Sequence, residues 1–349
     1  MRVFIFGAGA SKGSQHRVIH DSFVPPLSNE LFDPKYSQFA HMVGLMDPDM
    51  NRCRDSISKF SSFEEWLTDE WEKVKDLKEV RTRDAKKGFL AQIAFYIWIT
   101  LVNVSKWTYE NERQSREDNG YQVLMSKLLV KDEPFGLISF NYDLILDYAY
   151  KDVFRLAFHS IDDYLNNNYV KPHGSVNWLL AKRSDDLSID LEQEHNMDTR
   201  VRLDTAIKLM FRDSPIPIIG LHVKDPDHRD IYTLDDLLRS FKSQYFYPLI
   251  FLPLTSKDYT SVHGFEEKIL AKGNQLVSEA NEIYLIGYKA NDDIIKSMLK
   301  NAPDGTILNV VGNKSASDIM KKVLAWGTNI KEGKVFDAGF YRFVSDTSL

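Results

Sequence analysis

The sequence predicts an α/β fold: a doubly wound, mostly parallel sheet with a large helical insertion after its first strand. Three observations carry this expectation. Short, continuous apolar runs recur along the chain, most of them are followed by stretches of helical character, and a long helix-rich segment separates the first run from the second.

The first run, Val3–Phe6, breaks at once into Gly7-Ala8-Gly9-Ala10-Ser11. The others are Gly136–Phe140, Leu249–Leu252, Ile283–Ile286 and Ile307–Val311. None alternates with polar residues, which is the pattern of strands buried on both faces of a parallel sheet. Helical stretches follow three of them, over Asp143–Tyr150, Asp292–Lys300 and Ser315–Trp326.

The segment between the first two runs is too long for an ordinary βα connection and has helical signals of its own. Ser62 is placed to cap a helix, with Glu65 three residues on as its capping-box partner. Phe89–Val104 is apolar enough to imitate a membrane span. It is shorter than the roughly 20 residues a span needs and contains Gln92, Thr100 and Asn103, so a buried core helix is expected. Tyr121–Val130 is the last helical stretch. The expected organisation is an α/β domain over residues 1–34 and 131–349, interrupted by a helical insertion over 35–130. Residues 182–247 read as irregular, with an acidic tract at Arg183–Asp198.

Composition narrows the function classes. The 349 residues are 43% hydrophobic and 27% charged, ordinary for a globular protein with a sizeable core. A net charge of -6 disfavours direct nucleic-acid binding, which leaves a basic footprint. The single cysteine, Cys53, excludes an internal disulfide and a four-cysteine zinc ribbon, and suits a reducing cytoplasm. The N-terminus lacks the pattern of a secretory signal, so a cytoplasmic protein is expected.

The glycines after the first run have a physical use. Without Cβ atoms, backbone amides can approach a pyrophosphate at a helix N-terminus. The dinucleotide fingerprint G-x-G-x-x-G is nevertheless broken: Gly7 and Gly9 fit, Lys12 takes the third place, and Gly13 is one residue late. No acidic residue closes a second strand about 20 residues on, since Glu30 lies in a helical stretch. A P-loop fails as well, because Lys12 precedes Gly13. A tight strand-to-helix turn with no ligand remains the alternative. Asn141 and Asp143 follow the second run directly, at the strand end where open α/β sheets bind ligands. Both also suit a helix N-terminus. His173, in Lys171-Pro172-His173-Gly174-Ser175, is a candidate general base.

Taken in order, these elements resemble the sirtuin superfamily, a Rossmann-like fold. Gly7 to Ser11 match its Gly-Ala-Gly-x-Ser element, Asn141 and Asp143 its Asn-x-Asp element, and His173-Gly174 its His-Gly element. Ile286-Gly287-Tyr288 resembles the turn that holds ribose and phosphates, and Val311-Gly312-Asn313 the asparagine that meets the adenine ribose. The resemblance runs from Gly7 to Asn313. Two features depart from sirtuin deacylases: the four-cysteine zinc module is absent, and Pro25-Pro26-Leu27-Ser28-Asn29-Glu30-Leu31 stands where a Pro-Asp-Phe-Arg element belongs. Phe140-Asn141-Tyr142-Asp143, His173-Gly174-Ser175-Val176-Asn177-Trp178 and the helical insertion look instead like the sirtuin-like domains of bacterial anti-phage systems.

That resemblance implies hydrolysis of NAD as substrate, without zinc, to deplete it during abortive infection. It implies Asn141 and His173 as catalytic residues. Gly7, Ala8, Gly9, Ala10, Ser11, Asp143, Gly287, Tyr288 and Asn313 would bind NAD. It also implies a homo-oligomer, here expected through residues 35–130, and a separate activating partner such as an ATPase or a phage-derived trigger. Two other classes stay open: a protein deacylase or ADP-ribosyltransferase, and a non-catalytic nucleotide sensor. A metal at His222, Asp225, Asp227 and His228 is disfavoured, because the segment reads as a turn and matches no ligand spacing. His16 and His20 read as solvent-exposed.

Overall fold

The computed structural model describes residues 1–15, 24–60, 63–183, 203, 218–224, 244–250 and 265–347. In chain order the strands among them are β1 (Arg2–Phe6), β2 (Phe135–Ser139), β3 (Tyr169–Val170), β4 (Gly174–Arg183), β5 (Ile218–Val223), β6 (Gln244–Ile250), β7 (Glu282–Ile286), β8 (Ile307–Val311) and β9 (Lys331–Phe336). The α-helices are α1 (Ala8–Lys12), α2 (Ser37–Met42), α3 (Asp47–Ile57), α4 (Phe63–Lys75), α5 (Val80–Ser115), α6 (Gly120–Lys131), α7 (Ile145–Phe154), α8 (Ile161–Asn166), α9 (Phe265–Ser278), α10 (Asp293–Leu299), α11 (Ala316–Leu324) and α12 (Phe340–Asp346). The chain divides into two compact units. One comprises Met1–Leu27, Ser105–Gly174 and His263–Leu349; the other comprises Ser28–Val104 and Ser175–Val262.

The first unit is built on a six-stranded sheet of order β3-β2-β1-β7-β8-β9, every neighbouring pair parallel. Numbered by its own six strands the order is 3-2-1-4-5-6, that of the dinucleotide-binding doubly wound sheets. It is an α/β fold compatible with a Rossmann-like arrangement. The four central strands are the apolar runs at the start of the chain, after residue 135, and around residues 283 and 307. Val3, Phe4, Ile5 and Phe6 are fully buried, as are Leu137, Ile138, Ile283, Leu285, Ile286 and Leu308. Burial on both faces explains why these runs do not alternate. The strand order reverses between β1 and β7, and the loops leaving these two strands lie side by side at the sheet's carboxyl edge.

Three helices of this unit begin where the N-cap side chain satisfies one of their first amides. Asn119 caps α6 in a reciprocal box with Gln122, Ser160 does the same for α8 with Asp163, and Asp292 caps α10. The α6 helix, expected within the insertion, packs against α7 and α12 of this unit. Its sequence places Tyr121, Leu124, Met125 and Leu128 in the core.

The second unit contains α2 to α4, most of α5, and a three-stranded sheet of order β5-β4-β6 with β4 and β5 antiparallel. The run Leu249–Leu252, expected in the parallel sheet, falls elsewhere. Its described part ends β6, and residues 251–252 lie outside the described residues. Pro248 fits that position, since a residue without an N–H is tolerated on an edge strand. The apolar stretch Phe89–Val104 is the buried middle of the 36-residue helix α5, whose polar ends no apolar window could reveal. By length and composition α5 is long and apolar enough to cross a membrane, yet most of its apolar window is buried inside the protein. Tyr96 donates to the Leu31 carbonyl, Trp98 donates to the Val176 carbonyl at 3.0 Å, and Phe32, Phe63, Trp66 and Tyr96 form one aromatic cluster. Ser62, His16, His20, Asp225, Asp227 and His228 lie outside the described residues, while His222 falls on β5.

Candidate functional site

Every expected site residue belongs to the parallel-sheet unit. Successive hydrogen bonds tie together the loops that leave its strands. The Gly7 amide donates to the Ile286 carbonyl at 3.0 Å, Gly287 to Val311 at 2.8 Å, Gly312 to Phe336 at 2.9 Å, and Phe140 to Phe6 at 2.9 Å. The loops after β1, β2, β7 and β8 thus form one continuous rim.

Close approach fixes the glycines of this rim. A Cβ on Gly7 would stand 2.3 Å from the Tyr288 ring, and one on Gly9 would stand 2.7 Å from the Gly287 carbonyl oxygen. Gly287 has φ +57°, and a Cβ there would stand 2.0 Å from the Ala10 nitrogen. The amides of Gly7, Gly9 and Ala10 are already engaged, by Ile286, Gly287 and Gly7 respectively. Bare backbone here serves loop-to-loop packing first. A side chain at Gly9 would disturb that packing as well as any ligand, so Gly9→Val does not isolate binding.

Asn141 joins the β1 and β2 loops. Its Nδ2 donates to the Gly7 carbonyl at 3.0 Å and the Ser11 hydroxyl at 2.9 Å, with the Tyr121 hydroxyl at 3.4 Å. A carbonyl oxygen can only accept, so the contact with Gly7 fixes which way the amide faces. Its Oδ1 is buried and has no hydrogen-bond partner, although the residue is only 5% exposed. Leaving a buried acceptor unsatisfied costs about 1–3 kcal/mol. Such a group is placed to receive a hydroxyl or a water.

Asp143, two residues on, accepts from the Ile145 amide at 3.1 Å and so serves the start of α7. Burial raises its pKa; the Lys171 charge, the Ser11 hydroxyl and the Ile145 amide pull it back only in part. Lys171 is wholly buried. Its Nζ donates to the Asp143 carbonyl at 2.7 Å and lies 3.0 Å from Asp147 Oδ2, whose carboxylate also takes the Tyr164 and Tyr169 hydroxyls. This network pins the segment bearing Asn141 and Asp143 to the segment bearing His173.

His173 is 12% exposed at the side chain, and its Nε2 lies 2.5 Å from Asp292 Oδ2. Phe140 presents an edge contact to the imidazole at 5.1 Å and Tyr142 stacks on it at 5.8 Å, while Tyr288 stacks on Phe140 at 4.8 Å. Burial acts to raise the Asp292 pKa. The hydrogen bond and charge of His173, with the Ile294 amide, outweigh it and hold the carboxyl below its usual range. In the glycine turn, Ala8 is half-buried at the start of α1, and Ser11 shares its hydroxyl with Tyr121 at 3.1 Å.

Asn313 stands apart from this cluster. It is exposed beyond β8, and its carbonyl accepts from the Ala316 amide at the start of α11. Sequence reasoning missed three members. Tyr121 gave no signal, being one aromatic among many in an apolar helix. Lys171 is visible beside His173, but nothing in its spacing announces burial or the pair with Asp147. Asp292 had the signature of a helix cap, which it is, and its second oxygen carries the other role. Among the described residues no group of histidine, cysteine and acidic side chains could hold a metal ion. No protein-family model and no curated protein matches the chain.

Proposed function

We propose that the protein is an NAD glycohydrolase of the sirtuin-like kind found in bacterial anti-phage defence. The observation that carries this reading is the unpartnered Oδ1 of Asn141, buried beside the glycine turn at the strand-order reversal. Ligands of open α/β sheets bind there. The motif order from Gly7 to Asn313 supplies the sirtuin-type assignment. In this reading Gly7 to Ser11 and Gly287-Tyr288 form the wall against which the pyrophosphate and ribose lie, with Asn313 at the adenosine end. Asp143 secures the loop that carries Asn141. Because the Gly9 amide is bonded to Gly287, it would have to exchange that bond for one to a phosphate.

The reaction breaks the bond between C1′ of ribose and the nicotinamide nitrogen. The electron pair stays on nitrogen, which leaves as neutral nicotinamide. A water oxygen bonds to C1′, and its proton goes to His173, giving ADP-ribose after proton release to solvent. Asn141 Oδ1 accepts from the water or a ribose hydroxyl and orients it. We further propose cytoplasmic action as a homo-oligomer assembled partly through residues 35–130, with the trigger on another chain. An active monomer near 40 kDa by light scattering would remove the oligomer proposal.

The test is NAD consumption by the purified protein, alone and with the products of neighbouring genes. Asn141→Ala and His173→Ala, each checked for intact fold by circular dichroism, should lose about 10²–10⁴-fold in turnover. Turnover that requires an acyl-lysine peptide would favour a deacylase. NAD binding without product would favour a sensor. Full activity in both variants would place the active site elsewhere.

A further inference from the structure

We propose that Asp292 is a positioning residue that fixes the tautomer and orientation of His173. The proposal rests on the reading of His173 as the proton acceptor. A carboxylate offers only acceptors, so the nitrogen facing it must carry a proton. With Nε2 at 2.5 Å from Asp292 Oδ2, the neutral ring is the Nε2–H tautomer, and Nδ1 holds the basic lone pair. The carboxylate cannot swing away freely, because its other oxygen accepts the Ile294 amide at 2.7 Å and caps α10. One carboxyl group therefore couples a helix terminus to the imidazole. An edge contact from Phe140 and a stack from Tyr142 further restrict the ring plane. When the ring accepts a proton at Nδ1, Asp292 is already in place to stabilise the imidazolium.

Asp292→Asn separates these roles. The asparagine keeps an oxygen for the Ile294 amide, so α10 stays capped. Its amide nitrogen is a donor and turns the ring to the Nδ1–H tautomer. The experiment uses the full chain. Long-range ¹⁵N–¹H spectra of the histidine rings are recorded where the ring is neutral, with His173 assigned by its loss in His173→Gln. The expected result is Nε2–H in the wild type and Nδ1–H in Asp292→Asn. NAD turnover by Asp292→Asn should fall about 10²–10⁴-fold in kcat, with KM within about threefold.

An Nδ1–H wild-type ring overturns the proposal without any variant. A reversed tautomer with wild-type turnover overturns the positioning role. If the wild type never consumes NAD, the hydrolase reading falls, while the spectra still decide whether Asp292 sets the ring.

Discussion

Gly9 and Gly287 meet backbone to backbone: the Gly9 amide donates to the Gly287 carbonyl at 2.9 Å, and no Cβ fits on either residue. The positive φ of Gly287 adds strain to any replacement. Gly287→Ala should therefore destabilise the protein by about 2–5 kcal/mol, from overpacking and backbone strain together. Gly312 is the control, because a Cβ there would find only ordinary contact with Ala316 at 3.5 Å. Gly312→Ala should stay within about 0.5 kcal/mol. Urea denaturation compares the two, and equal midpoints would mean that the rim is not locked at Gly287.

The buried pair Lys171–Asp147 makes a second prediction. Lys171→Met leaves a wholly buried carboxylate without its cation and should cost about 3–5 kcal/mol. Asp147→Asn in the same chain should recover part of that loss, since the amide oxygen can still accept from Tyr164 or Tyr169. A double-mutant cycle reads the coupling. Additive losses would show that the two charges do not depend on each other.

Tyr121→Phe removes one hydroxyl from the group around Asn141. Ser11 still faces the Asn141 amide, so the stability loss should be about 1 kcal/mol. The amide then has one acceptor fewer to hold it. NAD turnover should fall about tenfold, given how steeply rate depends on orientation. Unchanged turnover would separate Tyr121 from the site.

Glu112 makes the protein's stability depend on pH. Burial, partly offset by the Asn119 side chain, pushes its pKa up to about 8, and its Oε1 has no partner. The folded protein thus binds a proton that the unfolded chain has released above the ordinary carboxylate range. That contribution is complete below the unfolded pKa and is lost as pH rises toward about 8. Glu112→Gln retains an acceptor for Asn119 and carries no charge. Its melting temperature should change less than that of the wild type between pH 6 and pH 9, by an amount equivalent to roughly 1–3 kcal/mol. Parallel curves would mean that Glu112 is not the group responsible.

The central strands were legible because burial on both faces leaves uninterrupted apolar runs, and Ile307–Val311 matches β8 residue for residue. The edge strands were not. Tyr169–Val170 is too short to carry a pattern, and Lys331–Phe336 is largely exposed and charged. Leu249–Leu252 showed that an apolar run alone does not say which sheet it joins. At the site, the residues announced by glycine spacing and strand ends were found together, apart from Asn313. Tyr121, Lys171 and Asp292 were not, because their roles come from contacts across 20 to 119 positions of chain. Spacing within a motif cannot encode such contacts.

The central position of β1 governs how the protein can be made. Its neighbours are β2 and β7, so one edge of this apolar strand waits for Phe135–Ser139 and the other for Glu282–Ile286. At roughly 5–20 residues per second, a ribosome needs tens of seconds to reach Ile286 after synthesising Phe6. During that interval the segment Arg2–Phe6 emerges with no complete sheet to enter. Chaperone binding to nascent chains should concentrate on this segment and end abruptly once β7 clears the exit tunnel.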